Sequence, residues 1–188
     1  MQSTKERPLR RIERALNEQE TMEVIDAAEY AVISTADTAG NPYGVAVNPV
    51  YMDGAFYFHT TAEPGSRRND NILMNPSVSL LFVSKAIVLP EWYSVDFASA
   101  VVTGQASRVE DPAERARAMM ALVKRYAPQN SDERNAVQMQ NRYPLVALWR
   151  VDVERIVGKA RAAKHWQVGK TVREKTDTAP SAWLVGVR

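Results

Sequence analysis

Cysteine is absent from the 188 residues, and histidine occurs twice, as His59 and His165. Without thiols there are no disulfides, thiolate zinc sites, iron–sulfur clusters or cysteine nucleophiles. Two imidazoles cannot complete a three-histidine metal centre within one chain, so no metal site is expected. A G-x-G-x-x-G run is missing, which leaves a Rossmann nucleotide site unsupported, and no G-x-S-x-G supplies a serine-hydrolase elbow. Gly169-Lys-Thr171 resembles the end of a P-loop, but Lys164 stands where that motif needs its first glycine. Long apolar runs are lacking too. The longest, residues 80–83 and 86–89, is split by Ser84-Lys85 and falls far short of the roughly 20 residues that span a bilayer. No apolar segment follows the basic residues 5–11, so no signal peptide is expected. The expectation is a cytoplasmic protein with no membrane partner.

A strong excess of one charge is likewise missing. The 24 Lys/Arg against 22 Asp/Glu leave a net charge of +2, which argues against a dedicated nucleic-acid binder. The balance is uneven, with eight Lys/Arg against four Asp/Glu in residues 151–188. That segment reads either as a solvated basic tail or as a contribution to an anionic-ligand site. What is present is apolar substance: 45% of residues are hydrophobic, enough to bury the core of one domain. A chain so short of ligands and nucleophiles either takes its chemistry from a cofactor or is not an enzyme.

The pattern along the chain is mainly β with flanking helices. Residues 1–16 read as a polar arm, 17–158 as the folded domain and 159–188 as a basic tail. Asn17-Glu-Gln-Glu20 has the form of a capping box, opening a helix to about Ala28 with Met22, Ile25 and Ala28 inward. Tyr30-Ala-Val-Ile-Ser-Thr35 is a strand, and Asp37-Thr-Ala-Gly-Asn-Pro42 a turn. Residues 43–51 read as a second strand interrupted at Pro49. Asp53-Gly54 is a hairpin signal leading into Ala55-Phe-Tyr-Phe-His59. Together these three strands predict an antiparallel meander. A short helix capped by Ser66 is expected to end at Asn75-Pro76, followed by a strand at 78–84. Strands are expected at 98–102 and 105–109, broken at Gly104. Asp111-Pro-Ala-Glu114 opens a second long helix, closed by Ala127-Pro128. Residues 129–142 read as a loop or short helix, and 145–153 as a final strand. Six or seven such strands make a small barrel.

Two features carry candidate chemistry. Arg67-Arg68 stands at the start of a predicted helix, where guanidinium groups and backbone amides suit an anion; the alternative is two solvated arginines. His59 ends an aromatic strand and reads either as a hydrogen-bonded strand-end residue or as a proton donor. With Thr60 and Thr61 it defines, beside the arginines, a corner suited to a phosphorylated aromatic cofactor. Trp92, Trp149, Trp166 and Trp183 read as core or interface, and Met119 and Met120 as helix packing.

The order Tyr30-Ala-Val-Ile-Ser-Thr35, Gly40-Asn-Pro-Tyr43, Asp53-Gly54, Tyr57-Phe-His-Thr60 resembles the pyridoxamine 5'-phosphate oxidase-like flavin proteins, and within them the nitroimidazole-resistance (5-nitroimidazole reductase) branch. Arg67-Arg68-x-x-Asn71-Ile-x-x-Asn75-Pro76-x-Val78 and Ser99-Ala-Val-Val-Thr-Gly104-Gln-Ala106 extend the resemblance, which spans roughly residues 15–160. Where the family often has Gly-His-Lys or Gly-Arg-Lys, this chain has Ser66-Arg67-Arg68, which preserves the charge.

The resemblance implies an antiparallel split β-barrel of the FMN-binding type, assembled as a homodimer with two flavin sites at the interface. It implies cofactor contacts at Asn48, Pro49, Val50, Phe58, His59, Thr60 and Thr61, phosphate binding by Arg67 and Arg68, and a catalytic place for His59 near the ring. The activity it implies is electron transfer from a nicotinamide donor to a small acceptor such as a nitroaromatic or quinone-like compound. The alternative is a non-catalytic protein on the same barrel that stores or senses flavin or haem.

Overall fold

The structure, a computed structural model, describes residues 9–161. Gly169-Lys-Thr171, His165, Trp166, Trp183 and the rest of the basic tail from 162 onward lie outside the described residues. Seven strands form one sheet in the order β2-β1-β5-β6-β7-β4-β3. They are β1 (Ala31–Ala36), β2 (Pro42–Val47), β3 (Val50–Met52), β4 (Ala55–Thr61), β5 (Ser77–Leu89), β6 (Ser94–Arg108) and β7 (Val146–Arg161). The described residues also form four α-helices: α1 (Glu18–Ala27), α2 (Arg67–Met74), α3 (Pro112–Tyr126) and α4 (Asp132–Arg142). The pairs β1–β2, β1–β5, β3–β4 and β4–β7 are antiparallel. The sheet is not closed: β2 and β3 are its two edges, although they follow one another in sequence.

The predicted meander is therefore corrected. Residues 43–51 are two strands, because Pro49 has no N–H to donate to a ladder and Asn48-Pro49 lies between the strands. β2 pairs with β1 and β3 pairs with β4, so the break sends the chain from one edge of the sheet to the other. The Asp53-Gly54 turn joins β3 to β4, and both residues have positive φ, 51° and 81°, as a type I′ hairpin requires. The expected break at Gly104 does not occur; β6 runs through it. Its glycine is there for space, since a Cβ would run into the carbonyl oxygen of Asp152.

The chain divides into two compact units. One comprises Glu29–Phe82 and Val101–Ile156; the described part of the other is 9–28, 83–100 and 157–161. In the second unit, Asn17 and Glu20 form the expected reciprocal capping box at the start of α1, at 2.8 and 2.9 Å. The end of the N-terminal arm is ordered: Ala15 bridges to Lys159, and Leu16 N donates to the Gly158 carbonyl at 3.1 Å. Strand β7 thus continues past 158 into the segment expected to be tail.

The first unit holds the core that positions the candidate site. Strand β4 is buried from Ala55 to Phe58, because both its faces are covered. Its alternation sends Ala55 and Tyr57 toward α3, where they pack with Val50, Leu148, Ala118 and Leu122. Phe56 and Phe58 go to the opposite face, where Phe56 meets Phe82 with ring centroids 5.4 Å apart. Trp149 stands beside Phe58 on the neighbouring strand and is 2% exposed, a core residue as expected. Trp92, at 74% exposed, is not part of a core. Helix α3 begins as its sequence predicts, with Asp111 capping Glu114 N at 2.7 Å and Pro112 in the first turn.

Candidate functional site

The candidate residues converge where β4 ends and α2 begins. Two asparagines hold α2 there. Asn69 Nδ2 donates to the Thr61 carbonyl at 3.0 Å, and the buried Asn71 donates through Nδ2 to Thr35 Oγ1 at 3.0 Å. These bonds tie the helix to the end of β4 and to the end of β1, and so place Arg67 and Arg68. Ser66 occupies the N-cap position but its side chain makes no capping bond, contrary to the expectation.

Arg67 is exposed, with its guanidinium 4.9 Å from the Tyr43 ring centroid and Nη2 3.5 Å from the Pro42 carbonyl. Arg68 is half-buried and lies 6.0 Å from the centroid of Phe58. Its Nε is buried with no acceptor among the described residues. Desolvation lowers its pKa, with a small opposing effect from Tyr43. A buried guanidinium N–H without an acceptor is costly, and it marks where an anion would be stabilised.

His59 keeps a solvent-facing surface while neighbouring atoms crowd its ring. That desolvation, and secondly the charge of Arg68, push its pKa below 6.5. The imidazole is neutral at pH 7 and carries one donor and one acceptor nitrogen. A shallow pocket beside it is lined by Thr60, Thr61, Glu63, Leu145 and Val146. A second, apolar cavity runs from His59 under α3 and α4.

Thr60 does not join the corner through its hydroxyl. Strand alternation turns it inward, where Oγ1 accepts from Trp149 Nε1 at 3.1 Å and donates to the Thr61 carbonyl. Thr61 does face outward, with its hydroxyl accepting from Glu63 N at 3.1 Å. Phe58 supplies its ring to Arg68. The Val50 side chain is spent in the α3 core, opposite Tyr57. The Pro49 carbonyl accepts from Tyr126 Oη at 2.7 Å, and Asn48 Nδ2 donates to the Glu29 carbonyl at 3.1 Å. The structure therefore brings His59, Thr61, Phe58, Arg67 and Arg68 to the β4–α2 corner and leaves Asn48, Pro49 and Val50 with structural partners.

Sequence reasoning missed the supports. Besides Asn69, these are Arg115, which donates to the carbonyls of Tyr143 and Val146 at 2.9 and 2.6 Å, and the Tyr57–Glu114–Arg150 cluster. Among the described residues no group of three His, Cys, Asp or Glu is placed to hold a metal ion, and no helix is long and apolar enough to cross a membrane.

Comparison with known proteins decides the family. The family model for pyridoxamine 5'-phosphate oxidase matches residues 17–160. The chain belongs to the pyridoxamine 5'-phosphate oxidase family. The β4–α2 corner is thus a feature of a pyridoxamine 5'-phosphate oxidase-like split barrel. Similar solved structures include a candidate 5-nitroimidazole antibiotic resistance protein from Bacteroides thetaiotaomicron, 24% identical, with a TM-score of 0.62 over 78% of this chain and 86% of that one. An FAD-binding protein from Mesorhizobium loti is 19% identical, with a TM-score of 0.57 over 79% and 98%. The haem storage protein HutZ from Vibrio cholerae is 16% identical, with a TM-score of 0.58 over 76% and 94%. No curated protein matches the chain at significant sequence similarity. Solved structures similar in fold thus include one described as FAD-binding and one as a haem storage protein.

Proposed function

We propose that the protein is an FMN-dependent oxidoreductase that passes electrons from a nicotinamide donor to a small acceptor, such as a nitroaromatic or quinone-like compound. The observation that carries this reading is Arg68: a half-buried guanidinium at the first turn of α2, with a buried Nε that has no acceptor among the described residues. A flavin mononucleotide phosphate fits that donor set, with Arg67 beside it and the first-turn amides not satisfied by Ser66. FMN, when bound, would supply the electron-transfer chemistry.

The chain's own residues then bind and orient. Arg68 and Arg67 neutralise the phosphate. Phe58 backs Arg68, and Asn69 and Asn71 fix the helix that carries both arginines. His59, neutral at pH 7, holds a proton on one ring nitrogen and offers it as a hydrogen bond to a polar atom of the acceptor.

A homodimer with flavin sites at its interface is part of the same proposal. It is supported by unusual apolar exposure at the β5–β6 hairpin tip, where Trp92 and Tyr93 are 74% and 99% exposed beside Val88 and Val95. The solved 5-nitroimidazole resistance relative favours a nitroaromatic acceptor. The haem storage relative supports a second reading, a non-catalytic binding protein with His59 as a haem ligand.

The absorption spectrum of the purified protein separates these readings. Flavin bands bleached anaerobically by NADH or NADPH support the oxidoreductase, and a Soret band supports haem storage. A bound flavin that neither nicotinamide reduces would leave flavin binding and remove the enzyme.

A further inference from the structure

We propose that the cavity beneath α3 and α4 binds one neutral, monocyclic aromatic molecule carrying a hydrogen-bond-accepting substituent, with His59 at its edge. The cavity measures about 180 Å³ and is walled by Met119, Val123, Met139, Tyr143 and Val146. An engineered apolar cavity of about 150 Å³ stays dry and takes benzene, so this volume suits one ring with a small substituent. Two methionines facing one space suit a flat aromatic guest, since thioether sulfur packs favourably on rings and adapts to their outline.

The remaining walls are fixed rather than adaptable. The Arg115 guanidinium lies 4.3 Å from the centroid of Tyr143 and its Nη2 holds the carbonyls of Tyr143 and Val146. Among the described residues no Asp, Glu, Lys or Arg lines the cavity, so a charged guest finds no described ionised side chain in its wall to offset lost hydration. The polar partners are His59, Asn130, Asn135 and Gln138, which suit a nitro or carbonyl oxygen. The neutral state of His59 agrees with a hydrogen bond to an uncharged guest. That the guest is the electron acceptor rests on the oxidoreductase reading; its binding does not.

The test is calorimetric titration of the full chain with nitrobenzene, 4-nitrobenzoate and 1-nitronaphthalene, before and after addition of FMN. Nitrobenzene is expected to bind, and 4-nitrobenzoate to bind at least about tenfold more weakly. Met139→Trp, at a half-buried position on α4, fills the cavity and weakens nitrobenzene by about tenfold or more. Met119→Ala enlarges it and strengthens 1-nitronaphthalene, which keeps the test open should the tryptophan variant fail to fold by circular dichroism. No nitrobenzene binding, an unchanged affinity in folded Met139→Trp, no gain for 1-nitronaphthalene in Met119→Ala, or equal binding of the anion overturns the proposal. A protein that takes up no FMN yet binds nitrobenzene in this pattern would refute the flavin reading and leave the cavity assignment standing.

Discussion

Asn69 Nδ2 donates to the Thr61 carbonyl oxygen at 3.0 Å, and this bond joins the helix that carries Arg68 to the strand that carries His59. Both groups are at least partly shielded from water, so its loss leaves a carbonyl without that donor. Asn69→Ala should lower stability by about 1 kcal/mol and weaken FMN more than that loss alone explains, because Arg68 is no longer held in place. Chemical denaturation with and without FMN measures both effects. A variant with wild-type stability and FMN affinity would show that α2 is held by other contacts.

His59 should titrate below 6.5, because desolvation and the charge of Arg68 both disfavour its cation. The unfolded chain then binds more protons than the folded one between the two pKa values. Stability therefore falls as pH drops from 6.5 through the folded value, and this loss is absent above 6.5. Arg68→Gln removes the repelling charge and should raise the midpoint, while burial still holds it below the ordinary value. Proton NMR of the His59 ring, assigned with His59→Asn, reads both. A midpoint unmoved by Arg68→Gln would disconnect the two residues.

Tyr57, Glu114 and Arg150 form a closed cluster. Tyr57 Oη donates to Glu114 Oε1 at 2.7 Å, and Arg150 Nη1 donates to the same oxygen at 2.8 Å and to Tyr57 Oη at 3.2 Å. The Tyr57 hydrogen bond, then the Arg150 one, holds the Glu114 pKa below its ordinary 4.5. This contribution to stability is complete above 4.5 and is lost as pH falls through the folded value. Tyr57→Phe should cost about 1 kcal/mol at pH 7 and shrink the acid-dependent loss. At the alkaline end, burial and Glu114 push Tyr57 up to about 12, so stability in the wild type falls from pH 10 upward and Tyr57→Phe lacks that slope. Thermal melts from pH 3 to 11 test both arms.

Gly104 is required by space. A Cβ there meets the Asp152 carbonyl oxygen and stands 3.1 Å from Val151 Cγ1, and backbone in the middle of a ladder cannot yield cheaply. Gly104→Ala should destabilise by about 1–3 kcal/mol, whereas Gly44→Ala, whose Cβ would meet Val32 at 3.5 Å, should cost less. Denaturation midpoints of the two variants check the ordering.

Local signals were the legible part of this chain. Asn17 with Glu20, Asp111 with Pro112 and Glu114, and Asp53-Gly54 each act within four residues, so their caps and turn are visible in sequence. Strand period and charge in the sequence single out His59 and the arginine pair, and the fold brings these three residues to one corner. What was hidden depends on distant partners. Nothing near Thr60 announces that its hydroxyl turns inward to Trp149, 89 residues away. Nothing near Gly104 shows the Asp152 carbonyl that excludes a side chain. The apolar cavity needed α3, α4 and β7 brought together, and the polar sequence of α4 gave no period that points to it.

The central claim is that Arg67 and Arg68 hold the phosphate of FMN. It is tested most directly by comparing the affinities of FMN and riboflavin, which share the ring and differ in the phosphate, for the wild type and for an Arg67→Ala/Arg68→Ala variant. The wild type should bind FMN about ten- to a hundredfold more tightly than riboflavin, the worth of charge-assisted bonds to the phosphate, and the variant should bind the two alike. Equal affinities in the wild type, or an FMN preference that survives loss of both arginines, would contradict the account.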